Sequence, residues 1–208
     1  MRFLEFKKRL IDLPVFGLSD IRKSAPDLDP RRLYEWGKKR YIIKVHNGHY
    51  VFAEKIAEPE MFFLIANKIY RPSYVSLESA LSIYGLIPEH PYTVTSVTTR
   101  KTSAFETRAG NYSYRKIKKE LFFGYQVKKN GQGEWLLASP EKALLDYIYL
   151  NANIEDADDI EGLRINMDEL RSRVSAAILG NYTSLIGNER VSRCVKILMK
   201  EAGNVRLS

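Results

Sequence analysis

An Asn-Gly pair at positions 47 and 48 joins two runs in which apolar and polar residues alternate, YIIKV before it and HYVFA after it. Both residue types tolerate the positive φ angles of a type I′ turn, which makes this pattern a strong local signal for a β-hairpin. A two-residue loop also fixes the register, so that His46 faces His49 and Val45 faces Tyr50. The alternation then predicts a packed face and an exposed face, formed by Ile43, Val45, Tyr50 and Phe52 and by Lys44, His46 and His49, respectively.

Three helix signals precede this hairpin. The segment FLEFKKRLI has apolar residues at helical spacing and ends before Pro14. Ser19 is in position to cap a short second helix, which Pro26 closes. A third helix has Asp29 as its N-cap and Pro30 at its first position, where a proline sacrifices no hydrogen bond. Three helices followed by a tight hairpin are typical of a winged helix-turn-helix domain, which we place at residues 1–55.

The third helix divides into a packed face and a basic face. At 100° per residue, Leu33, Trp36 and the stem of Arg40 point one way, while Arg31 and Lys38 point the other way. In winged helix domains the third helix enters the major groove of DNA, and the hairpin contacts the backbone or the minor groove. The residues predicted to contact double-stranded DNA are Arg31, Arg32, Tyr34, Lys38 and Lys39 on the helix and Lys44, His46, Asn47 and His49 on the hairpin.

The positive charge of the chain is concentrated in this first segment. The net charge is +8, and residues 1–53 contain 12 Lys or Arg and 6 Asp or Glu, whereas the remainder contains 21 and 19. A basic excess in one segment favours a nucleic-acid partner, although a solvated charged face gives the same count. A winged helix that binds another protein is the alternative, but such modules seldom carry this many cations on the outer helix face and the wing.

Membrane, secreted and metal-binding classes are not indicated. The longest apolar run, MFFLIA, is too short to cross a membrane, and the N-terminus lacks the unbroken apolar stretch of a signal peptide, so we expect a cytoplasmic protein. Cys194 is the single cysteine and cannot form an internal disulfide. Zinc needs three or four ligands, and the sequence offers no Cys, Asp or third His near His46 and His49. We therefore expect neither a metal nor a cofactor.

Residues 56–208 predict a mixed α+β domain behind a polar, proline-marked linker at residues 54–60. We expect helices at 59–70, from the N-cap Ser76 to Gly85, and from the N-cap Ser139, which precedes a proline. Strands are predicted at 92–100, 112–117 and 121–127, with a turn and a short strand within 130–138. An acidic loop at 155–162 and two helices, near 168–179 and 189–202, complete the chain.

The second domain also holds two features with more than one interpretation. Carboxylates such as Glu141 and Asp146 could serve a metal-dependent nuclease, but the acid-x-Lys strand motif, a phosphate-binding Gly-rich loop and a Ser/His/Asp set are all missing from the sequence, so we expect no enzyme. The basic segment RKIKKE at 115–120 is either a strand edge kept positive against sheet pairing or a second phosphate-contact surface. We favour the strand edge.

Four segments of the chain carry a resemblance to a known family. In order and spacing, ANKIYRPSYVSLESALSIYGLIPE, YTVTSVTTRKTSAFET, GNYSYRKIKKELFFGY and LASPEKALLDYIYL resemble the AbiEi family of bacterial antitoxins and transcriptional regulators, over about residues 1–150. The resemblance implies an N-terminal winged helix that binds inverted repeats in its own promoter. It also implies a C-terminal domain that counters a nucleotidyltransferase-type toxin, without requiring direct contact with that toxin. The alternative is a stand-alone regulator with no toxin partner.

Overall fold

The computed structural model describes residues 1–203 and has a mixed α+β architecture; residues 204–208 of the predicted second domain lie outside the described part. Its first elements are α1 Phe3–Leu10, β1 Phe16–Gly17, α2 Leu18–Ser24, α3 Arg31–Lys38, β2 Ile42–Lys44 and β3 His49–Phe52. The three strands form an antiparallel sheet in the order β1-β3-β2. We call these elements the N-terminal unit.

The start of α2 differs from the predicted one. The two-residue strand β1 pairs with β3, with Phe16 opposite Tyr50. The helix α2 begins at Leu18, directly after this strand. Gly17 is its N-cap residue, and the Gly17 backbone N–H donates to Asp20 Oδ2 at 2.7 Å. The N-cap of α2 is therefore Gly17 and not the predicted Ser19. The strand β1 was not predicted, because two residues are too few to show the alternation of apolar and polar residues that indicates a strand.

The hairpin turns at the predicted Asn-Gly pair, where both residues have positive φ, but its register differs by one residue from the predicted one. Lys44 faces Tyr50, and the Val45 N–H donates to His49 O at 2.9 Å. Residues 46–48 thus separate the paired strands, in place of the two-residue loop. A shift of one residue reverses which side chains share a face.

Both faces of the hairpin are packed, and of the predicted exposed face only Lys44 is exposed, whereas His46 and His49 are half-buried. Ile42 and Phe52 belong to a core under the three helices. Val45 and Val51 point the other way and belong to the core of the second sheet. Because successive residues of a strand point to opposite sides, a ribbon between two cores keeps few side chains for solvent.

The second sheet has six strands, β4 Ser73–Val75, β5 Thr93–Thr98, β6 Ser103–Thr107, β7 Gly110–Lys116, β8 Tyr125–Asn130 and β9 Gly133–Ala138. Their order is β6-β7-β5-β4-β9-β8, and the β5–β7 and β4–β9 pairs are parallel. The strand predicted at 121–127 begins later than expected, because a 3-10 helix occupies Lys119–Leu121. The strand-edge interpretation of residues 115–120 agrees with the structure only in part. Arg115 and Lys116 end β7 and pair with β5 alone, beyond the last β6 partner at Tyr114, whereas residues 117–120 follow the strand.

The helices of this second unit are α4 Pro59–Ile69, α5 Leu77–Ile83, α6 Pro140–Leu150, α7 Ala157–Gly162, α8 Met167–Arg173, α9 Ala176–Ile186 and α10 Glu189–Glu201. A 3-10 helix over Ala53–Ala57 occupies most of the predicted linker. The predicted acidic loop is the helix α7, which Asp156 caps. The helix predicted at 168–179 is two helices, because Ser175 caps a new one. No helix within residues 1–203 is long and apolar enough to cross a membrane.

An ion pair without solvent exposure lies between α6 and the second sheet. Lys142 Nζ donates to Asp146 Oδ1, and Asp146 Oδ2 accepts from Tyr74 Oη at 2.9 Å and from Ser76 Oγ at 2.8 Å. Burial raises the pKa of Asp146, and the Lys142 ammonium offsets part of that rise. The network joins α6 to β4. Because the Asp146 carboxylate bonds to Lys142, Tyr74 and Ser76, we assign it a structural role.

Candidate nucleic-acid interface

The outward face of α3 carries the exposed cations predicted from the sequence. Leu33 and Trp36 are buried, and Trp36 packs on Phe3 and Phe6 of α1 with ring centroids 5.4 and 4.7 Å apart. This packing leaves the opposite face in solvent, as the helical period predicts. The exposed residues are Arg31, Arg32, Tyr34, Glu35, Lys38 and Lys39.

Local contacts on α3 leave its cations accessible. Asp29 Oδ1 accepts from the Arg31 N–H at 2.9 Å, and this bond lowers the pKa of Asp29. Arg32 pairs with Glu35 at 3.0 Å. The Lys38 ammonium lies 4.7 Å from the centre of the Tyr34 ring, and the neighbouring hydroxyl raises the pKa of Lys38. Ion pairs this exposed are weak, so a phosphate can replace the carboxylate.

The end of α3 exposes one more cation than the sequence predicts. The Arg40 N–H donates to Gly37 O at 3.1 Å, and the Tyr41 N–H donates to Trp36 O at 2.9 Å, the bonding pattern of a Schellman motif. Arg40 has φ 56° and takes the position that glycine usually occupies there. Its side chain is exposed and does not share the packed face to which its stem was assigned. Lys38, Lys39 and Arg40 thus lie consecutively at the surface.

At the hairpin, the predicted residues divide into exposed and packed ones. Lys44 and Asn47 are exposed. A Cβ added at Gly48 would lie 2.9 Å from Leu18 at the start of α2, so the tip is held close to that helix. His49 is half-buried, and its Nδ1 lies 3.1 Å from His46 O. The hairpin therefore offers Lys44 and Asn47 to a ligand.

His46 lies against the second unit. Its ring centroid is 3.9 Å from that of Phe105 on β6. Burial lowers the pKa of His46, and His49 adds to this effect, so the imidazole is neutral near pH 7. A neutral His46 packed against Phe105 supplies no cation to a phosphate. The sequence held no signal for this contact, because Phe105 is distant along the chain.

A second group of exposed cations lies on the second unit, next to the contact between His46 and Phe105. The Phe105 ring lies 5.5 Å from that of Tyr70, and the Arg100 guanidinium lies 4.2 Å from the centre of the Tyr70 ring. The Tyr70 hydroxyl donates to Lys101 O at 2.8 Å. We name this group the β5–β7 patch; its exposed cations are Arg71, Arg100, Lys101, Lys116, Lys118 and Lys119. Lys116, Lys118 and Lys119 belong to the basic segment RKIKKE, whereas no sequence pattern singled out Arg71, Arg100 and Lys101.

Within residues 1–203, no group of three or more His, Cys, Asp or Glu residues is placed to hold a metal ion. Cys194 is buried in the core, and its Sγ lies 3.4 Å from Ile154 O.

The fold class is α+β, and comparison with known proteins extends only to the fold. Neither the scan against protein-family models nor the search of curated proteins found a match. Among solved structures, the chain is similar to the crystal structure of the RV2827C protein from Mycobacterium tuberculosis, with a TM-score of 0.61 over 96% of this chain and 78% of that chain. At 14% sequence identity the likeness shows a shared fold alone.

Proposed function

We propose that this protein is a DNA-binding transcriptional regulator whose N-terminal unit is a winged helix-turn-helix. The proposal is supported by the order of the elements in that unit, three helices with a short strand between the first two and a final hairpin. The α3 helix would enter the major groove, and the hairpin would lie along the backbone. In this arrangement Arg31, Arg32 and Lys38 contact base edges or the adjacent phosphates, while Lys44 contacts phosphate.

The outward face of α3 is the observation that carries the proposal. It exposes Arg31 and Arg32 at its start and the consecutive Lys38, Lys39 and Arg40 at its end. Arg40 adopts a left-handed conformation that costs a non-glycine residue about 1 kcal/mol. A cation retained at such a position is consistent with a role in binding an anion, for which the DNA backbone is the commonest large partner.

The β5–β7 patch extends this surface beyond the hairpin. It reaches the hairpin through the rings of Tyr70 and Phe105, which meet edge to face, and through the contact of Phe105 with His46. Four of the six cations of the patch are lysines, whose flexible ammonium groups suit phosphate contacts better than base recognition. In the proposed complex the patch therefore adds affinity on every DNA sequence, whereas α3 provides the discrimination.

The antitoxin role rests on the resemblance to the AbiEi family. Under this proposal the protein represses its own promoter by binding inverted repeats, and the second unit counters a nucleotidyltransferase-type toxin. Direct contact with the toxin is not part of the proposal. The neighbouring reading frame separates the antitoxin from a stand-alone regulator. If it encodes a nucleotidyltransferase, expression of that protein alone should arrest growth, and co-expression with this protein should restore growth.

The test of DNA binding is fluorescence anisotropy with labelled duplex DNA from upstream of the gene and with a scrambled duplex of equal length. We expect the upstream duplex to bind more tightly, and the affinity for both to fall steeply with salt as phosphate counterions are released. Absence of binding, or binding insensitive to salt, would contradict the proposal. That result would instead favour a winged helix that binds protein.

A further inference from the structure

The edge of the second sheet at β8 is open to solvent and partly apolar. β8 is the last strand of the sheet, and within residues 1–203 it pairs only with β9. Val127 is 60% exposed and Tyr125 is 36% exposed. Native proteins usually protect such edges, because unpaired N–H and C=O groups bind other strands.

The backbone groups that this edge leaves free can be identified from the register. The Ser139 N–H donates to Gly124 O at 2.8 Å, so Gly124 and Ser139 form a hydrogen-bonded pair. Such pairs recur at every second residue of an antiparallel ladder. Gln126 and Lys128 therefore bond to β9, whereas the backbone groups of the alternate residues point away from the sheet. These outward residues are Tyr125, Val127 and Lys129.

An apolar stripe on α9 lies beside this edge. Ile178, Tyr182 and Leu185 follow one another at helical spacing; Ile178 is 42% and Leu185 is 66% exposed. Ile178, Tyr182 and Tyr125 line one open groove of about 550 Å³. The groove thus joins Tyr125 of the strand edge to Ile178 and Tyr182 of the helix stripe. We name the strand edge, the groove and the stripe together the β8–α9 face. Exposed apolar surface of this kind marks an interaction site.

The charge of this face distinguishes between possible partners. Lys129 pairs with Glu134 at 3.0 Å, and Arg173 pairs with Glu169 at the rim of the groove. Lys128 and the buried Glu141 both line the groove. The face is thus balanced in charge, although the chain as a whole carries +8. An acidic or a basic partner would gain little here, whereas a surface that meets itself must avoid net charge.

We propose that the β8–α9 face is the interface of a symmetric homodimer. A two-fold axis through Val127 pairs the two β8 strands antiparallel and joins the two sheets into one. The outward groups of Tyr125 then meet those of Lys129 in the second copy. The same axis keeps both α9 helices on one side of the joined sheet, so their stripes face each other. One symmetric contact therefore satisfies the strand edge and the helix stripe together.

The dimer interface leaves the hairpin of the N-terminal unit free, whereas Pro14 of that unit lies beside Gly133 at the start of β9. The hairpin contacts β6, which is the opposite edge of the sheet from β8. A dimer through β8 therefore presents two copies of α3, as an inverted repeat requires. The inference does not depend on DNA binding, because the association is measured without DNA.

The experiment is sedimentation equilibrium of the full chain up to about 100 μM, a range that detects dissociation constants in the micromolar range. We expect a dimer for the natural sequence. Val127→Glu and Leu185→Glu place a charge on the strand edge and on the helix stripe, and each should raise the dissociation constant at least about tenfold. Leu4→Glu is the matched control, because Leu4 is 77% exposed on α1, away from the face.

A monomer for the natural sequence at the highest concentration would overturn the inference, and so would a dimer that both variants leave intact. Thermal melts identify a variant that fails to fold, and Leu185→Glu, at an exposed helix position, keeps the test valid if Val127→Glu does fail. Amide hydrogen exchange gives a second readout. Dimer formation should slow exchange at Tyr125, Val127 and Lys129, and unchanged exchange at these three amides would contradict a strand-paired dimer.

Discussion

The helix α3 and the hairpin β2–β3 are neighbours in sequence, and the same pattern analysis predicted one DNA-binding surface from both. In the structure, the helix and the hairpin differ in how much of their surface is exposed. The helix buries Leu33 and Trp36 against one core and leaves the rest of its circumference in solvent. The hairpin lies between two cores and buries side chains on both faces. A helix contacts the protein along one stripe, whereas a ribbon has only two faces, so a second packed neighbour removes most of its exposed surface.

The comparison suggests a division of roles: α3 would discriminate between DNA sequences, and the second unit would hold the hairpin in place through the contact of Phe105 with His46.

The first test removes the contribution of α3 to DNA affinity. Replacing Arg31, Arg32 and Lys38 with alanine should weaken binding to the upstream duplex by roughly 3 kcal/mol or more, since a good base contact contributes about 1–3 kcal/mol. The measurement is anisotropy. A control with the same charge change on α10 uses Arg193, Lys196 and Lys200, and an equal loss there would attribute binding to net charge alone.

The second test removes the support for the hairpin. Phe105→Ala should lower the affinity for every duplex severalfold, although Phe105 contacts no DNA in the proposed complex, because His46 loses the ring on which it packs. The free energy of unfolding should fall by about 1–2 kcal/mol, less than the cost of a fully buried Phe. Phe105→Leu keeps an apolar contact and should behave nearly as the natural sequence. Unchanged DNA affinity for Phe105→Ala would show that the hairpin needs no support.

The third test concerns the end of α3. Arg40→Gly relieves the left-handed conformation and should raise the free energy of unfolding by up to about 1 kcal/mol. The same change removes an exposed cation and should weaken DNA binding on all sequences. Thermal unfolding and anisotropy on the same sample check the two signs. Loss of stability would contradict the Schellman geometry, and unchanged affinity would exclude Arg40 from the interface.

The fourth test asks what remains exposed on the hairpin. Lys44→Ala should weaken binding to the upstream and scrambled duplexes alike, and it should reduce the slope of log affinity against log salt by about one, the expected effect of losing one phosphate contact. Anisotropy over a salt series measures both quantities. A loss confined to the upstream duplex would mean that Lys44 reads a base instead.

The smallest expected effect comes from His46. Because burial lowers its pKa, the folded state holds fewer protons on this residue than the unfolded state. Its contribution to stability is therefore complete above the unfolded pKa near 6.5 and is lost as the pH falls toward the lower folded pKa. His46→Gln should remove this part of the pH dependence, as measured by melts from pH 7.5 down to about 5.5. If acid instead strengthens DNA binding through His46, the residue contacts phosphate and the packing account is wrong.

Local signals determined much of the secondary structure. Pro30 with Leu33 and Trp36 predicted α3 and its two faces, the Asn-Gly pair predicted the turn, and Ser139 predicted the start of α6. Each of these depends on residues within a few positions of one another, where backbone preference and periodicity act directly.

Contacts between distant residues were decided only in the tertiary structure. The hairpin register depends on which side chains meet each core, so it could not be read from the turn alone. No local pattern indicated that Phe105 would cover His46, or that Tyr74 and Ser76 would complete the buried pair of Lys142 and Asp146. The sequence by itself thus established which residues of α3 lie outward. The surface left to the hairpin depended on the second unit packing behind it, a contact that no local pattern in the sequence specifies.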